Sequence, residues 1–153
     1  NRPYAAEELV ALIDNAPDQL VGPIYIAAIY GLREGDIVAL SKTADQGDWL
    51  TPITSKRKRP IRLYITPTVR KCLNDHRNSA STTIFVSTRS MPWTPDGFRS
   101  SWGKYKDELE KRGLIDEGGT FHGFRHSVAT ILAEQGFEDG EIKYILGHGP
   151  KSI

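Results

Sequence analysis

The sequence predicts a mainly α fold with a small antiparallel β-sheet (α+β). Helical spacing of apolar residues recurs along the 153 residues, one stretch alternates with period two, and glycine or proline punctuates the joins. Residues 4–14 read as a helix, with Leu9, Leu12 and Ile13 at i, i+3, i+4 and with Glu7 and Glu8 suited to the positive end of its dipole. Residues 20–30 form a second, more apolar helix, which places it at the centre of the core, and Gly31 breaks it. Residues 34–40 make a third, carrying Ile37, Val38 and Leu40. Over 47–65 the period changes: Trp49, Leu50, Ile53, then Ile61, Leu63 and Ile65 alternate with polar residues, as strands of a hairpin do. Pro60 confines itself to a turn or an edge.

Pro67 opens a helix to about residue 78, with Val69, Cys72 and Leu73 on one face. Residues 82–86 are a short apolar run, a third strand or an extended loop. Thr94 and Pro95 supply a cap and a first-turn proline for a helix over 95–112, with Phe98, Trp102, Tyr105 and Leu109 as its buried stripe and Gly113 as its stop. Gly118 and Gly119 read as a flexible loop. The next helix covers 122–135, with Phe124, Val128, Ile131 and Leu132 inward and Gly136 after it. The last covers 138–146, ends at Gly147, and uses Tyr144 for packing.

Composition narrows the function classes. No apolar run approaches the roughly 18 residues of a membrane helix, and the first residues lack the basic and apolar regions of a secretory signal. A single cysteine, Cys72, excludes an internal disulfide, a cysteine-rich zinc site and a CxxC redox motif, which fits a reducing cytoplasm. The net charge of +1 conceals a local concentration: Lys56, Arg57, Lys58, Arg59 and Arg62 fall within seven residues. Taking those five from 20 basic residues leaves 15 against 19 acidic ones, a mildly acidic body with one dense basic segment. That pattern suits a positioned contact with an anion.

Individual features have plain alternatives. Arg33, just after Gly31-Leu32, can fork onto a phosphate or pair with Glu34 or Asp36. The basic hairpin can track a nucleic-acid backbone or shield a sheet edge. His122 and Arg125 share a helix face, where an imidazole can move protons beside a guanidinium that holds an oxyanion. His126 follows Arg125 directly, points elsewhere and suits a buried hydrogen bond. His122 and His126 have zinc-like i, i+4 spacing, but the arginine between them opposes a cation, so no metal is expected. His148 after Leu146-Gly147 reads alone as a helix cap. The sequence lacks GxGxxG, GxxxxGK[ST] and GxSxG.

In combination, YGLREGDIVAL, TSKRKRPIRLYITP, FHGFRHSVATILAEQG and IKYILGHGPKSI resemble, in that order, the catalytic domain of tyrosine recombinases, the phage-integrase family. The resemblance covers nearly the whole chain. It implies that Arg33 and Arg125 clamp the scissile phosphate, that Asp36 buttresses them, and that Lys56 (with Lys58 as fallback) protonates the leaving 5′-oxygen. His122 then assists proton transfer and His148 donates to a phosphate oxygen, while Arg57, Lys58, Arg59 and Arg62 contact DNA. The implied activity is site-specific breakage and rejoining of duplex DNA through a 3′-phosphotyrosyl bond, without cofactor. A DNA-binding regulator, a degenerate relic or a type IB topoisomerase-like enzyme is the alternative on the same fold. The family nucleophile follows the LGH histidine by about nine residues. Tyr4, Tyr25, Tyr30, Tyr64, Tyr105 and Tyr144 all lie elsewhere. The expectation is therefore a single catalytic domain, 1–153, truncated before its nucleophile and without the family's N-terminal DNA-binding domain. It would be inactive in covalent cleavage by itself, its parent a homo-oligomer on DNA in a bacterial or phage cytoplasm.

Overall fold

A computed structural model describes residues 1–54 and 60–146. Seven helices are built there: α1 (Ala6–Asp14), α2 (Asp18–Tyr30), α3 (Glu34–Val38), α4 (Pro67–His76), α5 (Pro95–Lys111), α6 (Gly123–Glu134) and α7 (Asp139–Ile145). Their ends fall within two residues of the sequence expectation. The sheet is shorter than the alternation suggested. Strands β1 (Trp49–Leu50) and β2 (Leu63–Tyr64) pair antiparallel, Trp49 opposite Tyr64 and Leu50 opposite Leu63. Ile53 bridges to Pro60 but is exposed, so the alternation extends beyond the paired segment without burying that side chain. Residues 82–86 form an extended loop rather than a strand, held by isolated bridges and by the Ile84 N–H donating to the Leu40 carbonyl at 2.9 Å.

Helix α2 is the hub, as its all-round apolar character requires. It packs against α1, α3, α4 and α6. A Cβ on Gly22 would lie 2.4 Å from the Phe85 ring, so only glycine lets the fully buried Phe85 lie against this helix. The predicted stripe of α5 is buried as expected, and edge-on aromatic contacts link Trp93, Phe98, Phe121, Trp102 and Phe124 beneath α6. Thr94 and Thr66 cap α5 and α4, accepting from the N–H groups of Gly97 and Val69.

The stripe of α6 is narrower than expected. Phe124 and Val128 are buried, but Ile131 is 47% exposed and Leu132 only partly covered. Among the described side chains, the contact of this end of the chain with α6 runs through Val128, Ile142 and Leu146.

Two ionic knots fasten distant segments. The Asp45 carboxylate, with a side chain 3% exposed, accepts two bonds from Arg70 (2.6 and 2.7 Å) and one from Arg77 (2.5 Å). These tie the approach to β1 onto α4. The Arg70 bonds hold the Asp45 carboxyl below its usual pKa against the opposing effect of burial. At the other end, Arg2 forks onto Glu8 at 2.9 and 2.8 Å and donates to the Asp116 carbonyl at 2.8 Å. The Glu8 carboxylate also accepts the N–H groups of Ala5 and Asp116, both at 2.9 Å.

Candidate phosphate-binding site

Gly31 begins the site. It takes φ +69°, the left-handed turn that ends α2, and its N–H donates to Ala27. The chain then reverses into α3 with Arg33 at the N-cap, its carbonyl accepting from Asp36 and Ile37 at 3.0 Å. Arg33 is thereby half-buried at the helix junction, and Asp36 is buried one turn on.

Helix α6 contributes His122 at its N-cap and Arg125 in its first turn. Its start is pinned by the chain's first residues. The Tyr4 N–H donates to Ser127 Oγ at 2.7 Å, Ser127 Oγ donates to the Gly123 carbonyl at 2.8 Å, and the Tyr4 hydroxyl donates to the Thr120 carbonyl at 2.6 Å. A Cβ on Gly119 would stand 2.6 Å from the Tyr4 ring. The loop expected to be flexible is thus held against Tyr4, because Gly119 lets that ring approach.

Arg125 is 5% exposed. Its Nη1 donates to the Gly31 carbonyl and its Nη2 to the Leu146 carbonyl, each at 2.5 Å. One guanidinium therefore draws together the turn that carries Arg33 and the end of α7 that precedes Gly147-His148. Its Nε is buried and has no hydrogen-bond partner among the described residues, a donor facing a cost unless an acceptor arrives. Burial first, then the charge of Arg33, pushes the Arg125 pKa down to about 10, with Asp36 acting in the opposite direction. The guanidinium stays charged at neutral pH. His122 is held below its ordinary pKa by desolvation and then by His126, Arg125 and Arg33, so its neutral form is favoured.

Arg125 thus lies within electrostatic reach of Arg33 and Asp36, and His122 within reach of Arg125 and Arg33. His126 corrects its expectation. It is exposed rather than buried, and its ring lies edge-on to His122 with centroids 5.2 Å apart. The i, i+4 spacing returns the side chain to the face of His122. A cavity of about 380 Å³ opens between α6 and α7, walled by His122, Arg125, His126, Asp139, Ile142 and Leu146 among others. Arg62 stacks its guanidinium 4.0 Å from the Trp49 ring centroid at the base of the hairpin. Lys56, Arg57, Lys58, Arg59 and His148 lie outside the described residues, and the packing expected of Tyr144 lies outside the described side chains.

Sequence reasoning missed the carbonyls of Gly31 and Leu146 as acceptors for Arg125. The only signal was that both flank motif residues. Among the described residues, no group of three or more His, Cys, Asp or Glu side chains is placed to hold a metal ion, and no helix is long and apolar enough to cross a membrane.

A guanidinium pair with a neutral-leaning imidazole, on a helical domain with a two-stranded sheet, has the architecture of a tyrosine-recombinase catalytic domain. The solved catalytic core of lambda integrase matches with TM-score 0.76 at 21% identity, over 97% of this chain and 95% of that one. XerA recombinase matches with TM-score 0.78 at 19% identity, over 98% of this chain and 57% of that one. A Tn1549 transposon integrase in complex with transposon right-end DNA matches with TM-score 0.76 at 16% identity, over 97% and 58%. The chain thus spans little more than half the length of the longer relatives. No curated protein matches the sequence. The phage integrase family model matches residues 4–153, and the chain belongs to that family.

Proposed function

We propose that this chain is the phosphate-binding catalytic domain of a site-specific DNA recombinase. The supporting observation is the convergence on Arg125: residues 94 positions apart are joined by its bond to Gly31, beside Arg33, and its Nε is left for an incoming acceptor. A scissile phosphodiester seated there gains negative charge on its non-bridging oxygens as a hydroxyl attacks. Arg33 and Arg125 neutralise that charge, and loss of one such preorganised donor costs about 10²–10³-fold in rate. Asp36 orients the cationic pair. A neutral His122 accepts a proton from the attacking hydroxyl. Lys56 on the hairpin delivers a proton to the departing 5′-oxygen, and His148 donates to a phosphate oxygen, both by family resemblance. By family resemblance the attacking group is a tyrosine about nine residues past the LGH histidine. None of the six tyrosines of the chain has that spacing, so the 153 residues alone form no covalent adduct.

Duplex DNA is the substrate class, with Arg57, Lys58, Arg59 and Arg62 contacting its backbone. The lambda integrase chains of similar fold were solved as a dimer on a core site and as a tetramer on a Holliday junction, which supports assembly of the parent protein on DNA. The test is fluorescence anisotropy with a labelled duplex across salt, with Arg33→Ala as variant and denaturing gels for adducts. Weak binding that falls steeply with salt and weakens in Arg33→Ala is expected. Binding indifferent to salt and to Arg33, or a covalent adduct on the wild-type chain, would overturn the proposal.

A further inference from the structure

His126 has no part in the chemistry above, yet its ring meets His122 edge-on. Both imidazoles are exposed, sit one helical turn apart, and meet edge-on at 5.2 Å and 76° on the wall of the α6–α7 cavity. We propose that His126 is a positioning residue for His122: its ring fixes the His122 imidazole over the phosphate pocket, and its positive charge, when present, disfavours a second proton there. The inference rests on the recombinase reading of the pocket, since holding His122 neutral matters only if that ring accepts a proton.

The surroundings are consistent. From α6, Arg125 and His126 face His122. From the α2–α3 junction Arg33 does, the chain's amino terminus adds a further positive charge, and from α7 Asp139 lines the same cavity. The arginines are permanently charged and supply a constant bias toward the neutral ring. Two like charges about 5 Å apart at a wet surface interact strongly enough to move a midpoint by about half to one pH unit. The contact therefore adds to the bias of the arginines toward the neutral His122 ring.

The experiment is a proton NMR titration of the imidazole signals of the labelled 153-residue chain from pH 5 to 9, for wild type, His126→Phe and His126→Ala. Phenylalanine keeps the ring edge and removes the charge; alanine removes both. Because His126 is exposed, amide spectra should show all three folded. The His122 midpoint is expected to rise by about half to one pH unit in both variants, with added averaging of the ring in His126→Ala. A His122 midpoint within about 0.2 pH unit of wild type in both variants overturns the inference, whether or not DNA binds. A shifted midpoint in a chain that binds no duplex at any pH supports the pairing and overturns the DNA reading instead.

Discussion

Replacing Glu8 by glutamine tests the knot that holds the chain's first residues to the approach to α6. Burial alone would raise the Glu8 pKa. The Arg2 fork, the amides of Ala5 and Asp116 and the Arg2 charge overcome that and lower it from 4.5 to about 2. At about 1.4 kcal/mol per tenfold change in proton affinity, the difference corresponds to about 3 kcal/mol. The side chain is 10% exposed and Arg2 30%, so the unpaired guanidinium of the variant regains some water and the expected loss at pH 7 is about 2–3 kcal/mol. A depressed carboxylate contributes fully above its unfolded pKa and less as pH falls toward the folded one. The contribution at pH 3 is accordingly about 1 kcal/mol. Urea unfolding of wild type and Glu8→Gln, followed by tryptophan fluorescence, measures the gap at both pH values. A gap that does not narrow between pH 7 and pH 3, or one under about 1 kcal/mol at pH 7, refutes the reasoning.

Three further outcomes follow from the same geometry. Asp45→Asn removes the charge that Arg70 and Arg77 share, and is expected to destabilise by about 2–4 kcal/mol in urea unfolding. Gly31→Ala forces a side chain to φ +69° and sets its Cβ 2.9 Å from Leu146; a loss of about 2 kcal/mol with weakened duplex binding is expected, because the acceptor of Arg125 shifts. His122 lies below its ordinary pKa in the folded chain, so the unfolded chain binds more protons and the group favours folding less as pH drops through 6.5. His122→Gln should flatten that part of the stability profile between pH 7.5 and about 5.5 in thermal melts.

Helix α5 shows why much of the fold was legible. Thr94-Pro95 starts it, four apolar residues at helical spacing mark its buried face, and Gly113 stops it, all local signals. The same holds for α2 and Gly31. The placement of Arg33 at a helix junction and of His122 and Arg125 at the start of α6 was equally readable, because glycine stops and apolar spacing mark those helix ends in the string. The side of α6 was less so. Ile131 looked like core, but its burial depends on how far the short α7 reaches. His126 looked like a buried hydrogen-bonder; its i, i+4 spacing already set it beside His122, and only the packing of α6 decided that this face is exposed. The loop at Gly118-Gly119 read as flexible because the ring that fills its space, Tyr4, stands more than a hundred residues earlier.

The sequence by itself determined the helical plan and the place of the paired strands, since periodicity and caps are local properties of the chain. Tertiary structure decided what those residues do to one another. Arg125 donates to the carbonyls of Gly31 and Leu146 only because three segments distant in sequence close around it. Those bonds depend on long-range packing, which no local pattern encodes.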